Sequence, residues 1–428
     1  MYELAKKLFP ICRSITGDGV RKTLSILREI VPEMQIYEIP SGTTAFDWSV
    51  PKEWNIRDAY IEDSKGNKII DFSQNNLHVV GYSLPLNEYM NLEQLKRIIF
   101  TQPNQPNEIP YITSYYTERS GFCMSENLKN TLKEDIYHCV IDSELRDGSL
   151  TYGELIIPGE TSEEVLLSTY ICHPSMANNE ISGPVVTINL AKWLLGLARR
   201  KYTYRILFLP ETIGAITYLS KNLDVMKRNT IAGFVLSCVG DDRTYSYVET
   251  RYADTLTDKL LGHVLKYYYP DFKKYSFLQR GSDERQYNAP GVDLPVCSVC
   301  RSKYEEYEEY HTSADNLNVI SERGLQGSFE LMKKCIRILE WNEFYQVVNL
   351  CEPQLGKRGL HSTLSQKGNN SKNTKTIMNF LAYADGKNDL IDIANIIKIP
   401  AEELISILKV LLEKGLIEIK REESMDDI

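Results

Sequence analysis

No apolar run in this 428-residue chain is long enough to cross a bilayer as a helix; residues 165–167 and 206–209, among the longest, fall far short of the ~20 that a span requires. Positive charge is also in short supply. Lys and Arg number 49 against 58 Asp and Glu, a formal net charge of −9, so no basic field draws the molecule onto nucleic acid. The opening Met1-Tyr2-Glu3-Leu4-Ala5-Lys6-Lys7 lacks a basic cluster leading into an apolar stretch and a small-residue cleavage site, and the expected location is cytoplasmic. Nine cysteines, an odd number in a long chain, suit reduced thiols better than a disulfide framework. The single Cys297-x-x-Cys300 pair lies in an apolar, strand-like run and reads as buried structure before it reads as a zinc knuckle or redox motif.

What is present is the composition of a globular protein, 43% hydrophobic, with a length that suggests two or three domains. Val20, Leu24, Leu27 and Val31 recur at helical spacing behind Gly17-Asp18-Gly19, which reads as a helix cap; a phosphate loop would want a third glycine and a preceding strand. From Ser41 the chain turns aromatic and turn-rich, with a hairpin pattern over residues 59–72, and it closes in a Pro- and Asn-rich stretch. Residues 41–110 are expected to form a β-rich insertion. Beyond it, short β-rich runs alternate with helical patterns as far as a helix at 329–341, which argues for an α/β sheet covered by helices on both faces. The polar tract at 367–373 reads as a linker. Three helix-length patterns at 377–384, 390–397 and 401–414, followed by a strand at 415–420, resemble a winged helix-turn-helix. From Thr374 onward seven Lys and Arg face eleven Asp and Glu, so DNA is an unfavourable partner and protein contact, or self-association, is the better use. The expected domains are 1–40 with 111–345 around the insertion at 41–110, then linker and winged helix at 346–428.

Chemistry gathers at the carboxyl ends of strands in such sheets. One run ends in Cys172-His173-Pro174-Ser175-Met176-Ala177-Asn178-Asn179-Glu180-Ile181-Ser182-Gly183, the next in Pro210-Glu211-Thr212, a third in Ser237-Cys238-Val239-Gly240, and a later loop carries Tyr310-His311-Thr312-Ser313-Ala314-Asp315. A lone strand-end histidine is usually structural. Two with nearby carboxylates fit zinc, which takes about three nitrogen and oxygen ligands and leaves a position for water. His173, Glu180 and His311 are the expected ligands, Glu211 the base that takes the proton of a metal-activated water, and Asp315 the group that orients the His311 imidazole.

These residues resemble the zinc aminopeptidase superfamily. The strings Arg13-Ser14-Ile15-Thr16-Gly17, Cys172 through Gly183, Gly281-Ser282-Asp283-Glu284-Arg285 and Glu309 through Asp315 look more closely like bacterial aminopeptidase-like proteins often linked with polysaccharide biosynthesis. The resemblance covers nearly the whole chain. It implies an α/β fold in which a mixed sheet lies between helices, with a small β-rich inserted domain and a C-terminal winged helix. The superfamily's two-metal pattern is broken here: Asn179 stands at the bridging aspartate, Thr212 at the second glutamate and Ser237 at the later aspartate. Neutral groups hold a dication poorly, so one zinc ion is expected, with Asn179 or Glu211 as competing ligands to Glu180.

The resemblance also places Asp283 on the substrate side of the cleft. Arg285 or Arg301 is a candidate partner for a substrate carboxylate or oxyanion, and Tyr310, in an acidic aromatic loop, for a substrate amine. The expected activity is hydrolysis of an amide in a small peptide or an N-acyl or aminoacyl conjugate. A non-catalytic metal-binding or regulatory protein that uses its winged helix for protein or DNA contact is the second reading. A cysteine hydrolase using Cys172 beside His173 is disfavoured, since neighbouring strand residues point to opposite faces.

Overall fold

The computed structural model describes residues 1–360 and 369–420, so part of the expected linker and the end of the chain lie outside the described residues. The chain divides into two compact units, Met1–Thr257 with Phe272–Glu330, and Asp258–Asp271 with Leu331–Ile428.

The first unit is built on an eight-stranded mixed sheet in the order Gln35–Pro40, Ser149–Ile157, Thr203–Leu209, Glu164–Tyr170, Thr230–Leu236, Val296–Cys300, Ser246–Val248, Lys273–Tyr275. The four central strands from Thr203–Leu209 to Val296–Cys300 run parallel. Glu164–Tyr170 is buried at every position, Ser168 and Thr169 included, so it shows no alternation of buried and exposed residues. Helix Ser182–Leu195 lies so close to this strand that a Cβ at Gly183 would strike Thr169 Oγ1 and the Leu236 carbonyl oxygen. Helix Asp18–Ile30 buries Val20, Leu24 and Leu27. Gly17, at φ 94°, and Gly19 are there because side chains would meet the carbonyls of Trp54 and Cys12. Cys297 and Cys300 lie buried on strand Val296–Cys300, and all nine cysteines are free.

The insertion forms a four-stranded antiparallel sheet, Lys68–Asp71, Glu53–Glu62, Ile136–Arg146, Leu86–Asn91. Its hairpin pairs Tyr60 with Asp71 and Ile61 with Ile70, and Asp63 Oδ1 accepts from the Lys65 and Asn67 amides in the turn. The sheet runs past the residue 110 at which the insertion was expected to close. Its longest strand, Ile136–Arg146, alternates buried and less buried positions, so that one face packs on Ala59, Ile61, Leu95 and Phe122.

The second unit carries a three-stranded sheet, Asp385–Asp389, Phe344–Val347, Ile417–Ile419, and helices Asn369–Tyr383, Leu390–Ile397 and Ala401–Glu413. Asp389 caps the second of these by accepting from the Asp392 amide at 2.8 Å, and Lys398, at φ 59°, ends it. His263 joins this unit by its Nδ1 contact with Asn395 Oδ1 at 2.8 Å and by accepting the Ala401 N–H at Nε2, 2.9 Å. Among the described residues no helix is long and apolar enough to cross a membrane.

Candidate active site

The two central strand ends are tied by the Ile171 N–H donating to the Leu209 carbonyl at 2.8 Å. Immediately beyond them the chain delivers His173 from one side and Glu211 from the other. Met176 to Ile181 closes with an i to i+5 backbone bond, the Ile181 N–H to the Met176 carbonyl at 3.2 Å. Such π-type turns re-aim side chains; this one returns Glu180 to His173. His173 Nδ1 lies 2.9 Å from Glu180 Oε2, and His173 Nε2 lies 3.6 Å from Glu211 Oε2. The ring is thus set between two carboxylates on opposite edges. Burial disfavours charge on His173, but the Glu180 hydrogen bond and charge outweigh it and raise its pKa, with Glu211 adding to the effect.

Behind Glu180 stands Arg13, itself 2% exposed. Its Nε donates to the His173 carbonyl at 3.0 Å and lies 3.3 Å from Glu180 Oε1, while Nη1 donates to the Leu8 carbonyl at 2.8 Å. Glu180 is therefore committed to Arg13 and to the Nδ1 edge. It lies on the Nδ1 edge, away from Nε2, and the expected ligand trio of His173, Glu180 and His311 does not converge. Among the described residues, the trio whose ligating atoms lie within 4.8 Å of one another is Cys172, His173 and Glu180. The Cys172 thiol accepts from the Glu211 amide at 3.1 Å, and burial pushes its pKa well up, so it stays protonated. Cys172 and His173 do not point to opposite faces as expected, because they follow the strand in a loop and touch at 3.3 Å; the raised thiol pKa is what disfavours a cysteine nucleophile.

His311 arrives on a separate loop with φ 56°. The Tyr111 N–H donates to the His311 carbonyl at 2.8 Å and the Ser313 N–H to the Ile109 carbonyl at 2.9 Å, so a strip of chain following the Pro- and Asn-rich stretch is laced to the histidine loop. Ring centroids of His173 and His311 are 5.6 Å apart, and Tyr111 lies against both, at 5.2 and 5.0 Å. Tyr310 stacks on His311 at 3.9 Å. His311 Nε2 is buried without a partner, and burial together with the nearby His173 pushes the His311 pKa down to about 3. It is a neutral imidazole with a free lone pair or N–H.

Asp315 does not orient His311. Its carboxylate accepts the Asn178 N–H at 2.7 Å, the Asn179 N–H at 2.9 Å and the Tyr307 hydroxyl at 2.9 Å. Those amides begin a helical segment and are the stronger call on a carboxylate, having no acceptor within their own turn. Burial still raises the Asp315 pKa, to about 6.

Asp283 and Arg285 both meet the turn after Glu211. Asp283 Oδ1 accepts the Thr212 N–H at 2.7 Å, and Arg285 Nη2 donates to Thr212 Oγ1 at 2.6 Å. Thr212 itself is held at φ 63°, strain of a kind that collects at functional sites. Burial, and then the charge of Glu211, raise the Asp283 pKa well above the carboxylate range; burial raises that of Glu211, with His173 opposing it. Asn179 donates to Tyr170 Oη at 2.7 Å and leaves its Oδ1 buried and unpartnered. Arg301 lies elsewhere, its guanidinium on the Tyr245 ring. Arg13 and Tyr111 were not assigned roles from sequence. Arg13 opens one of the quoted strings, a signal that was available; Tyr111 had none beyond its place after Pro110.

A mixed sheet with strand-end histidines and acids, an inserted β domain and a C-terminal winged helix define an aminopeptidase-like α/β protein. The chain belongs to the family described as "Domain of unknown function (DUF4910)", which matches residues 2–342, and a winged helix-turn-helix family matches residues 343–419. It is 48% identical over 395 residues, 92% of this chain and 90% of the relative, to a Clostridium acetobutylicum protein named "Putative polysaccharide biosynthesis protein with aminopeptidase-like domain". A crystal structure of a "putative peptidase" from Clostridium acetobutylicum superposes with a TM-score of 0.92 at 45% identity, covering 98% of this chain and 96% of that one. A zinc aminopeptidase from Bacillus subtilis shares the fold at a TM-score of 0.56 and 12% identity, over 78% of this chain and 93% of that one.

Proposed function

We propose that the chain is a zinc-dependent hydrolase that cleaves an amide in a small peptide or an N-acyl or aminoacyl conjugate. The observation that carries this reading is His173, fixed at Nδ1 by Glu180 and facing Glu211 with Nε2, beside a His311 whose Nε2 is buried and unpartnered. The two imidazoles, with ring centroids 5.6 Å apart, are the candidate donors for one cation. Two imidazole nitrogens of separate loops would hold it, and the carboxylate at Nδ1 is the support that metal-binding histidines need. Zinc so held supplies Lewis acidity toward a carbonyl oxygen. Arg285 at the Thr212 hydroxyl puts a positive group where the superfamily has a second carboxylate, which supports one ion in place of two.

The chain's own residues supply the rest. Glu211 is the carboxylate that takes a proton at Oε2, and its raised pKa suits returning that proton to a leaving amine. Arg13 and Glu180 keep the imidazole from turning. Asp283 holds the strained Thr212 amide and so the angle at which Glu211 enters. Tyr111 and Tyr310 wall the histidines and exclude water from their outer side. Glu211 as the third ligand is the second reading, favoured by its 3.6 Å from His173 Nε2, near the ~3.4 Å between neighbouring ligands of one zinc, although with His311 it too forms no trio within 4.8 Å.

Zinc titration and a panel of aminoacyl amides, run on the full chain and on Glu211→Gln, test the proposal. A base predicts retained zinc and lost turnover; a ligand predicts that both fall. Full activity in the variant contradicts both. Zinc binding without turnover of any amide favours a metal-binding regulator. The winged helix is proposed to contact protein, since helix Ala401–Glu413 exposes Glu403 in its first turn, Glu402 being paired with Lys334 and Arg337.

A further inference from the structure

A cavity beside Arg301 shares no residue with the histidine site. Arg301 follows strand Val296–Cys300; its N–H donates to the Cys238 carbonyl at 2.7 Å, and its guanidinium carbon lies 3.7 Å from the centroid of the Tyr245 ring. The residue is 5% exposed. Its Nε is buried without a partner, and the carboxylate that feels its charge, Asp242, is already bonded by Ser321 and Arg323. Arg13 and Arg205 are about as buried, yet each is matched by a glutamate, Glu180 for the first and Glu164 for the second. A desolvated guanidinium is costly, and an aromatic face offsets only part of that cost.

A direct counter-charge has room. A cavity of about 440 Å³, open to solvent, is lined by Tyr245, Arg301, Arg323, Gln326, Gly327 and Glu330. Gly327 keeps it open at the arginine: a Cβ there would strike Tyr245 Oη and come within 2.8 Å of Arg301 Nη1. Arg323, 82% exposed, forms the rim and is held by Asp242 Oδ1 at 3.0 Å. Of the two arginines in the lining, Arg323 is matched by Asp242, and Arg301 is the one whose Nε is left without a partner.

We propose that this cavity binds a small molecule through an oxyanion, a carboxylate or a phosphate group seated on the Arg301 guanidinium, with the rest of the ligand over Tyr245 and toward Arg323. A planar guanidinium offers paired N–H donors that match either group. The test is calorimetric titration of the full chain with inorganic phosphate and, separately, with acetate, at fixed ionic strength against a chloride control. Saturable binding of either is expected, weakened about tenfold or more in Arg301→Gln and by a smaller factor in Arg323→Gln. The rim residue is exposed, so the second variant reports even where the first fails to fold. Absence of saturation by either anion up to about 10 mM, or binding by both variants equal to that of the natural chain, overturns the proposal. Phosphate and acetate arms tell the two ligand classes apart, and saturation in either supports the site.

Discussion

Glu180 grips His173 at Nδ1, 2.9 Å away, and leaves Nε2 facing Glu211 at 3.6 Å. A carboxylate in that position fixes which nitrogen carries the proton and which way the ring faces. Its second oxygen lies 3.3 Å from Arg13 Nε, in ion-pair contact but without a hydrogen bond. If this is support and not ligation, Glu180→Ala should weaken zinc about 10- to 100-fold while leaving the stoichiometry unchanged, as read by competition with a chromophoric chelator. Loss of all zinc would return Glu180 to the ligand set.

Arg13→Met should unfold the region more than it alters the ion. Glu180 would be left buried with one charge partner fewer, a loss of roughly 3 to 5 kcal/mol, measured as a lower denaturant midpoint. A midpoint within about 0.5 kcal/mol of the natural chain would show that Arg13 is ordinary packing.

Arg205 offers a comparison remote from any ion. It donates to Glu164 at 2.6 and 2.7 Å and to Glu154 at 3.1 Å across the sheet. Arg205→Met should cost on the order of 3 kcal/mol in chemical denaturation with zinc binding intact.

Tyr111→Ala removes the ring that lies on both histidines and opens the site on the insertion side. Substrates with bulkier groups near the scissile amide should gain relative to small ones by about tenfold, compared as kcat/KM ratios. An unchanged ratio would mean that the strip does not bound the substrate.

His263 gives the second unit a pH dependence. Burial lowers its pKa, against the pull of the Asn395 contact, so the folded state keeps it neutral below the pH at which the unfolded chain protonates. Its contribution is therefore complete above about 6.5 and declines as pH falls below that value, because only the unfolded state gains the proton. Lys259 and Lys266 nearby disfavour the charged form, while Asp389 favours it. Calorimetry from pH 7.5 down to 5 should show a falling midpoint, with a shallower fall in His263→Gln.

Much of this architecture is legible in the chain because buried parallel strands announce themselves. The runs leading to His173 and Glu211 carry apolar stretches at residues 165–167 and 206–209, and polar residues follow them, so the strand ends and their candidates can be found without a structure. The helices of the winged domain show their period for the same reason. Strand Ile136–Arg146 was missed because its alternation is filled with charged and hydroxyl residues, and Phe344–Val347 because four residues carry no period. At the site, spacing could bring Glu180 near His173 but could not say which edge of the ring it would take. That depends on Arg13, 160 residues away in sequence from the histidine carbonyl it holds. Asp315 went to backbone amides that no side-chain pattern reveals.

The central claim is a single cation shared by His173 and His311, and metal analysis of the purified full chain after zinc loading tests it most directly. About one zinc per chain is expected, with binding lost in both His173→Ala and His311→Ala while the fold persists by circular dichroism. Two ions per chain, or undiminished binding in His311→Ala, would contradict it.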